Sequence, residues 1–225
     1  MAASAPPTHP SRDPIRATQH AYRATLDALA MPGTIQQLVP HPILDRLRIG
    51  ERTLWPATLL LMLLDHEISL AILPASFADE LSGLLVRRTR VAIAAPDAAD
   101  VVVVDVTSVE PDLLAALLKS LRRGSLQYPD DSATLIILVD SLAPGTTAPD
   151  AFSLTGPGIA TAISVVVALP GFSPALLTAR EQIVEQYPMG VDILVLDTHG
   201  CLLGLPRTTR ITRLSRLTRT NERAG

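Results

Sequence analysis

Lysine is nearly missing from this chain. Its 225 residues include eighteen arginines but only Lys119, so chemistry that needs an amine, such as a Schiff base, has one candidate. Cysteine is as scarce: with Cys201 alone no intrachain disulfide can form, which suits a reducing cytoplasm. No apolar run reaches bilayer length; those near 57–64 and 159–169 fall short of the roughly 20 residues a span needs. The opening MAASAPPTHPSRDP has neither a basic start nor an apolar h-region, so it does not read as a secretory signal. A broad basic surface is lacking too. From Leu205 onward six arginines and one glutamate give +5, leaving −8 on the residues before it. An acidic body with a short basic end is not the profile of a nucleic-acid-binding domain.

Catalytic signatures are equally thin. Glycine-rich phosphate motifs fail: the residues before Lys119 are LLAALL, which excludes a P-loop, and GPGIAT (156–161) lacks the third glycine of a dinucleotide fingerprint and reads as a tight turn. GFSPA (171–175) resembles part of a nucleophile elbow, but Ser173 followed by Pro174 is the pattern of a helix N-cap and first helical residue. The histidines at 9, 20, 41, 66 and 199 have no metal-ligand spacing. Asp65-His66-Glu67 reads as a solvated helix end. Asp140, Asp192 and Asp197 fall at strand ends, where carboxylates serve function or turns alike. No catalytic, cofactor-binding or metal-binding residue is assigned.

What is present is a packed chain: 48% hydrophobic and 18% charged residues, enough for a substantial core. Asp13-Pro14 starts a helix, with Ile15, Tyr22, Leu26 and Leu29 at helical spacing and Pro32-Gly33 ending it. A short strand at 34–39 and a deeply buried helix over 55–65 follow. Strands are expected at 69–73, 90–95, 101–106, 133–140, 152–156, 162–168 and 191–197, with a hairpin into CLLGL (201–205). Helices are expected at 77–85, 111–121 and 174–186. In the 111–121 helix Leu113, Leu114, Leu117, Leu118 and Leu121 form one stripe, with Lys119 opposite, on the solvent face. Runs such as VVVV and LIILV suit strands covered on both faces. The expectation is a three-layer α/β sandwich with a mixed sheet.

Four stretches carry a family resemblance: TQHAYRATLDALAMPGTI (18–35), LTGPGI (154–159), YPMGVDILVL (187–196) and LPRTTRI (205–211). In this order they resemble the PhnH family, a subunit of the bacterial carbon–phosphorus lyase core complex. Gln19, His20, Tyr22, Arg23, Pro32 and Gly33 fit the family's opening pattern. Tyr187, Pro188, Gly190, Asp192, Pro206, Arg207, Thr208 and Thr209 fit its close. The resemblance implies a cytoplasmic homodimer with a fold similar to the large domain of pyridoxal-phosphate-dependent transferases but without the cofactor. It implies partners of the PhnG, PhnI and PhnJ types. It also implies an accessory role in forming ribose 1-alkylphosphonate 5-triphosphate from ATP and an alkylphosphonate, with PhnI as the catalytic component. No catalytic residue is carried over.

Arg207, Thr208 and Thr209 are the candidates for an anion or partner contact, with local structural hydrogen bonding as the other reading. The arginines recur every third position from Arg207 to Arg219, a spacing that fits neither a strand nor a helix. The division expected is a flexible lead-in at 1–13, an α/β domain at 14–211 and a flexible basic tail at 212–225. Possible contact regions are the helix near Trp55 and the loop around 141–151. Two other readings are a free-standing pyridoxal-phosphate transferase built on Lys119 and a nucleic-acid module built on the tail.

Overall fold

The computed structural model describes residues 13–47, 49–144, 151–160, 163–168 and 172–213. Two sheets share them. The larger has seven strands, in spatial order β1 (Gln36–Gln37), β10 (Cys201–Leu205), β9 (Asp192–Asp197), β5 (Thr134–Val139), β4 (Val101–Asp105), β2 (Ser69–Leu73) and β3 (Ala92–Ile93). From β9 to β3 every pairing is parallel, whereas β10 and β1 add antiparallel strands at one edge. The sheet is therefore mixed, and its antiparallel part is the expected hairpin at 191–205.

Helices cover both faces, which is why the central strands are apolar without alternation. Val104, Ile137, Val195 and Leu203 lie in one register row and pack with α4 (Pro111–Ser120) and α5 (Pro174–Val184). The neighbouring row, Val103, Ile136, Leu194 and Gly204, faces α1 (Pro14–Ala30), α2 (Glu51–Leu63) and α3 (Ala75–Thr89). In α4, Leu114, Leu117, Leu118 and Leu121 are buried as expected; Leu113 instead faces out, and Ala115 takes its place. Lys119 is exposed.

The smaller sheet was not anticipated. The stretches at 152–156 and 162–168 do not join the main sheet but form β7 (Ala151–Thr155) and β8 (Ile163–Ala168) of an antiparallel sheet ordered β11-β7-β8-β6. Its outer members are β6 (Ser141–Pro144), where a loop was expected, and β11 (Arg210–Arg213). Phe152, Leu154, Leu142 and Ile211 bring this sheet into the core under α5. The first arginine triplet is thus strand, two residues past the boundary expected at 211; 214–225 lie outside the described residues, as do 145–150.

Two helices depart from expectation for physical reasons. Helix α2 begins at Glu51 rather than Trp55, with Pro56 inside it. Its first turn is held by Arg52, whose guanidinium reaches Asp105 and Asp140, and Thr53, Pro56 and Ala57 are buried. Most of α2 is therefore core rather than contact surface. Helix α1 starts as expected, with the Asp13 carboxylate capping Ile15 N–H and Pro14 at the first position. Its packing face is Ala17, Ala21, Ala24, Thr25 and Ala28, however, while Ile15, Tyr22 and Leu26 are 68%, 56% and 48% exposed. The cause is Gly204: a Cβ there would stand 2.4 Å from the Ala28 carbonyl oxygen. The helix backbone rests directly on the strand, and only small residues fit such an approach.

This contact predicts opposite outcomes at two glycines. Gly204→Ala forces backbone apart and is expected to cost about 3 kcal/mol. Gly83→Ala, inside α3, would meet only the end of the Arg87 side chain at 3.4 Å and should gain about 0.5–1 kcal/mol. Urea midpoints of the two variants measure the contrast; equal effects would contradict the close packing.

Candidate functional site

In parallel α/β sheets ligands gather where strands end, and here that edge carries Asp105, Asp140 and Asp197. The Asp105 carboxylate is almost wholly buried and accepts two bonds from Arg52, Nε at 2.7 Å and Nη2 at 2.8 Å, and two more from Thr107. Arg52 Nη1 also reaches Asp140 at 3.0 Å. Asp197 accepts from the backbone N–H of His199, Cys201 and Leu142, so it fastens the β9–β10 hairpin to the start of β6. The cleft between α2 and these strand ends holds about 10 Å³, less than one water occupies. These carboxylates are structural ties, and the cleft beside Asp197 is nearly filled.

At the opposite edge stands Arg207. Its backbone N–H and Nε bond Asp192, Nη1 bonds the carbonyls of Pro129 and Pro188 at 3.0 and 3.1 Å, and Nη2 bonds Ser132 Oγ and Asp192, both at 2.7 Å. Every guanidinium nitrogen is engaged, so Arg207 ties the 124–132 loop, the 187–190 turn and β9 together. Thr208 lies beside it on an open face of about 420 Å³ that includes Tyr187 and Pro188.

Thr209 turns the other way. Between α5 and β11 runs a groove of about 450 Å³ lined by Leu177, Arg180, Val184, Thr209 and Ile211, with Glu181, Glu185, Arg210 and Thr212 exposed around it. On its floor Thr209 Oγ1 and Arg180 Nε are buried without hydrogen-bond partners. Arg180 Nη2 donates to the carbonyls of Leu205 and Pro206. Burial pushes the Arg180 pKa down to about 10, with the Asp192 charge pulling it up, so the guanidinium stays cationic at neutral pH. The structure therefore separates the three neighbours: Arg207 is closed in its own network, Thr208 borders an open face, and Thr209 joins Arg180.

The other sequence candidates have structural places. Gly158 packs against the end of α1, where a Cβ would meet Ala30 O at 2.4 Å, so GPG is a tight turn up to residue 160. Ser173 caps α5 by accepting from Leu176 N–H. Asp65 accepts from Glu67 N–H on the surface. Among the described residues no group of three His, Cys, Asp or Glu side chains could hold a metal, and no helix is long and apolar enough to cross a membrane. Burial and the Asp197 charge push the Cys201 thiol up to about 11, which keeps it protonated and poorly nucleophilic. Lys119 sits near the end of α4, at the edge where the parallel strands begin, far from the carboxylates at their ends.

Comparison with known proteins places this fold. The model of a bacterial phosphonate metabolism family, PhnH, matches residues 10–212. The chain belongs to the PhnH family. Among relatives, the protein HtxG of Stutzerimonas stutzeri, named as a C-P lyase subunit, is 29% identical over 193 residues, covering 86% of this chain and 85% of its own. The alpha-D-ribose 1-methylphosphonate 5-triphosphate synthase subunit PhnH of Rhizobium meliloti (strain 1021) is 27% identical over 207 residues, covering 89% and 93%.

Two residues of this PhnH-family chain escaped the sequence reading, Arg52 and Arg180. Arg180 carried a usable signal: it breaks the buried stripe of Leu176, Ala179 and Ile183 on α5. A charge on a buried helical face marks either a paired ion or a binding group.

The carboxylates at the strand edges set a pH dependence. Burial alone would raise the Asp105 carboxyl, but Arg52 and Thr107 outweigh it and hold it below its ordinary 3.8. Asp100 is lowered likewise, its burial outweighed by Ser69 and Arg122. A carboxyl group lowered by folding adds stability that is complete above its unfolded pKa and is lost as pH falls through the folded one. The urea midpoint should therefore hold from neutrality down to about pH 5 and fall below about pH 4. Asp105→Asn should flatten that acid limb and cost about 2–3 kcal/mol at pH 7, less than a fully buried pair because Arg52 remains partly exposed. An unchanged acid limb in this variant would contradict the pairing.

Proposed function

We propose that this protein is a non-catalytic, accessory subunit of a carbon–phosphorus lyase core assembly in phosphonate breakdown. It would support formation of a ribose 1-alkylphosphonate 5-triphosphate from ATP and an alkylphosphonate. The family match over residues 10–212 carries this reading, and both relatives are named as subunits of such systems. The geometry agrees with it. At the ends of β5 and β9, where an enzyme of this architecture could hold a substrate, the cleft lined by Arg52 and Pro56 is only about 10 Å³. The mixed sheet with helices on both faces is compatible with kinship to the large domain of pyridoxal-phosphate-dependent transferases, and no cofactor is proposed. The one amine, Lys119, is exposed on α4 at the wrong edge for aldimine chemistry.

Surfaces for partners are available. Ile15, Tyr22 and Leu26 form an exposed apolar stripe on α1. Leu126, Tyr128 and Tyr187 are 73%, 54% and 65% exposed, on the two loops that Arg207 ties together. Arg207 would thus act in partner contact by holding a platform rather than by touching the partner's charge. The assignments proposed are a cytoplasmic homodimer and partners of the PhnG, PhnI and PhnJ types.

Co-expression with those three subunits and purification through a tag on this chain is the test. A stoichiometric complex is expected; recovery of this chain alone, while the others remain soluble and associated, would overturn the reading. Tyr22→Asp with Leu26→Asp, or Leu126→Asp with Tyr187→Asp, should lower partner or dimer recovery by about tenfold or more without changing the melting temperature, since exposed apolar anchors carry interface energy. If neither pair has an effect, these faces are not the contacts.

A further inference from the structure

The groove between α5 and β11 holds something that internal architecture does not explain. Arg180 is 5% exposed and Thr209 3%, yet Arg180 Nε and Thr209 Oγ1 find no hydrogen-bond partner. No ion pair of Arg180 exists among the described residues. Asp192, the carboxylate whose charge it feels, is held by Arg207. A buried guanidinium without a counter-ion is strongly disfavoured, and an unmade bond at a buried donor is disfavoured further. Arg207 has every guanidinium nitrogen engaged, and Arg122, whose Nε is likewise buried without a partner, is paired with Asp100; Arg180 has no carboxylate partner among the described residues.

Both residues line the groove, although the two atoms themselves have less than 1 Å² of accessible surface. Arg180, Glu181, Val184 and Glu185 follow Leu177 by three, four, seven and eight positions, so α5 turns one face toward β11. That face and β11 enclose about 450 Å³ with Arg180, Thr209 and Ile211 below and Leu177 and Val184 as half-buried walls. The rim has both signs, Arg210 against Glu181 and Glu185, all exposed. The uncompensated charge lies on the floor.

We propose that this groove is a binding site for a small organic oxyanion. A small side-chain shift at Arg180 and Thr209 uncovers the two atoms, so that a carboxylate or phosphoryl oxygen accepts from Arg180 Nε and from the Thr209 hydroxyl, while an apolar substituent lies against Leu177, Val184 and Ile211. A guanidinium favours oxyanions through charge-assisted bonds of fixed geometry, and the apolar walls favour a substituted anion over a bare one. Glu181 and Glu185 at the rim select against highly charged ligands. The site rests on this chain's own geometry and stands whether or not the chain is a lyase-assembly subunit.

The test titrates the full-length protein with inorganic phosphate, acetate and hexanoate, against sodium chloride at matched ionic strength. Melting temperature and the ¹⁵N–¹H signal of Arg180 Nε, assigned by its loss in Arg180→Lys, are followed. Saturable responses to the oxyanions and none to chloride are expected, with hexanoate binding about tenfold more tightly than acetate through its added apolar contact. Thr209→Val, nearly isosteric, should weaken binding about fivefold, the worth of one hydrogen bond, whereas Arg210→Gln at the rim should change it less than about twofold. Arg180→Met should abolish binding; should it fail to fold, Thr209→Val still decides. Unsaturated responses shared with chloride, an Arg180 signal that does not move, or unaltered binding in Thr209→Val would each overturn the site.

Discussion

The backbone of α1 lies on the backbone of the sheet, and much of the molecule follows from that contact. Gly204 leaves no room for even a methyl group under Ala28. The helix therefore presents alanines inward, and Ile15, Tyr22 and Leu26 turn outward, with Leu29 alone of the expected stripe half-buried against the core. The same closeness continues beyond the end of α1. Gly158 packs against the Ala30 carbonyl, and a Cβ on Gly156 would stand 2.8 Å from Thr208 O. A line of backbone-on-backbone contacts thus runs from β10 through the end of α1 and the GPG turn to the loop before β11. Three of the four stretches of the PhnH resemblance, 18–35, 154–159 and 205–211, meet along that line. Their glycines and prolines mark close approach, not phosphate binding.

This explains which parts of the fold were legible in the sequence. Runs such as VVVV and LIILV must be covered on both faces, so the central strands, α4 and α5 could be placed from composition and caps. Helix α1 was located correctly but turned the wrong way, because a stripe of large apolar residues usually marks the core. Here packing distance overrides hydrophobicity, and that distance is set by Gly204, nearly two hundred positions away. The smaller sheet was hidden for a related reason. Strand β6 reads SLAP and β11 reads RITR, polar or broken patterns that become strands only because β7 and β8 offer them edges.

The site was harder to see. Sequence singled out Arg207 with its neighbours, and the structure divides them: the motif arginine is enclosed in an intramolecular network, and only Thr209 faces the groove beside Arg180. What decides between a tie and a binding group is whether each donor has a partner, and partners come from the fold. Arg207 finds carbonyls at Pro129 and Pro188 because two distant loops meet there. Arg52 finds Asp105 because α2 crosses the end of β4. Arg180 alone of these three lies on a buried helix face with no carboxylate brought to it.

The distribution of satisfied and unsatisfied groups bears on what kind of protein this is. An enzyme of parallel α/β architecture keeps its reactive groups at the ends of the strands and leaves them room. Here the cleft at the ends of β5 and β9, lined by Arg52 and Pro56, is only about 10 Å³, and the carboxylates there hold α2, β6 and the β9–β10 hairpin in place. Open volume lies instead in the groove between α5 and the edge strand β11 and on the face beside Arg207. A groove so placed adjoins the edge strand β11, and the ordering of a bound anion at Thr209 would act on that strand's start.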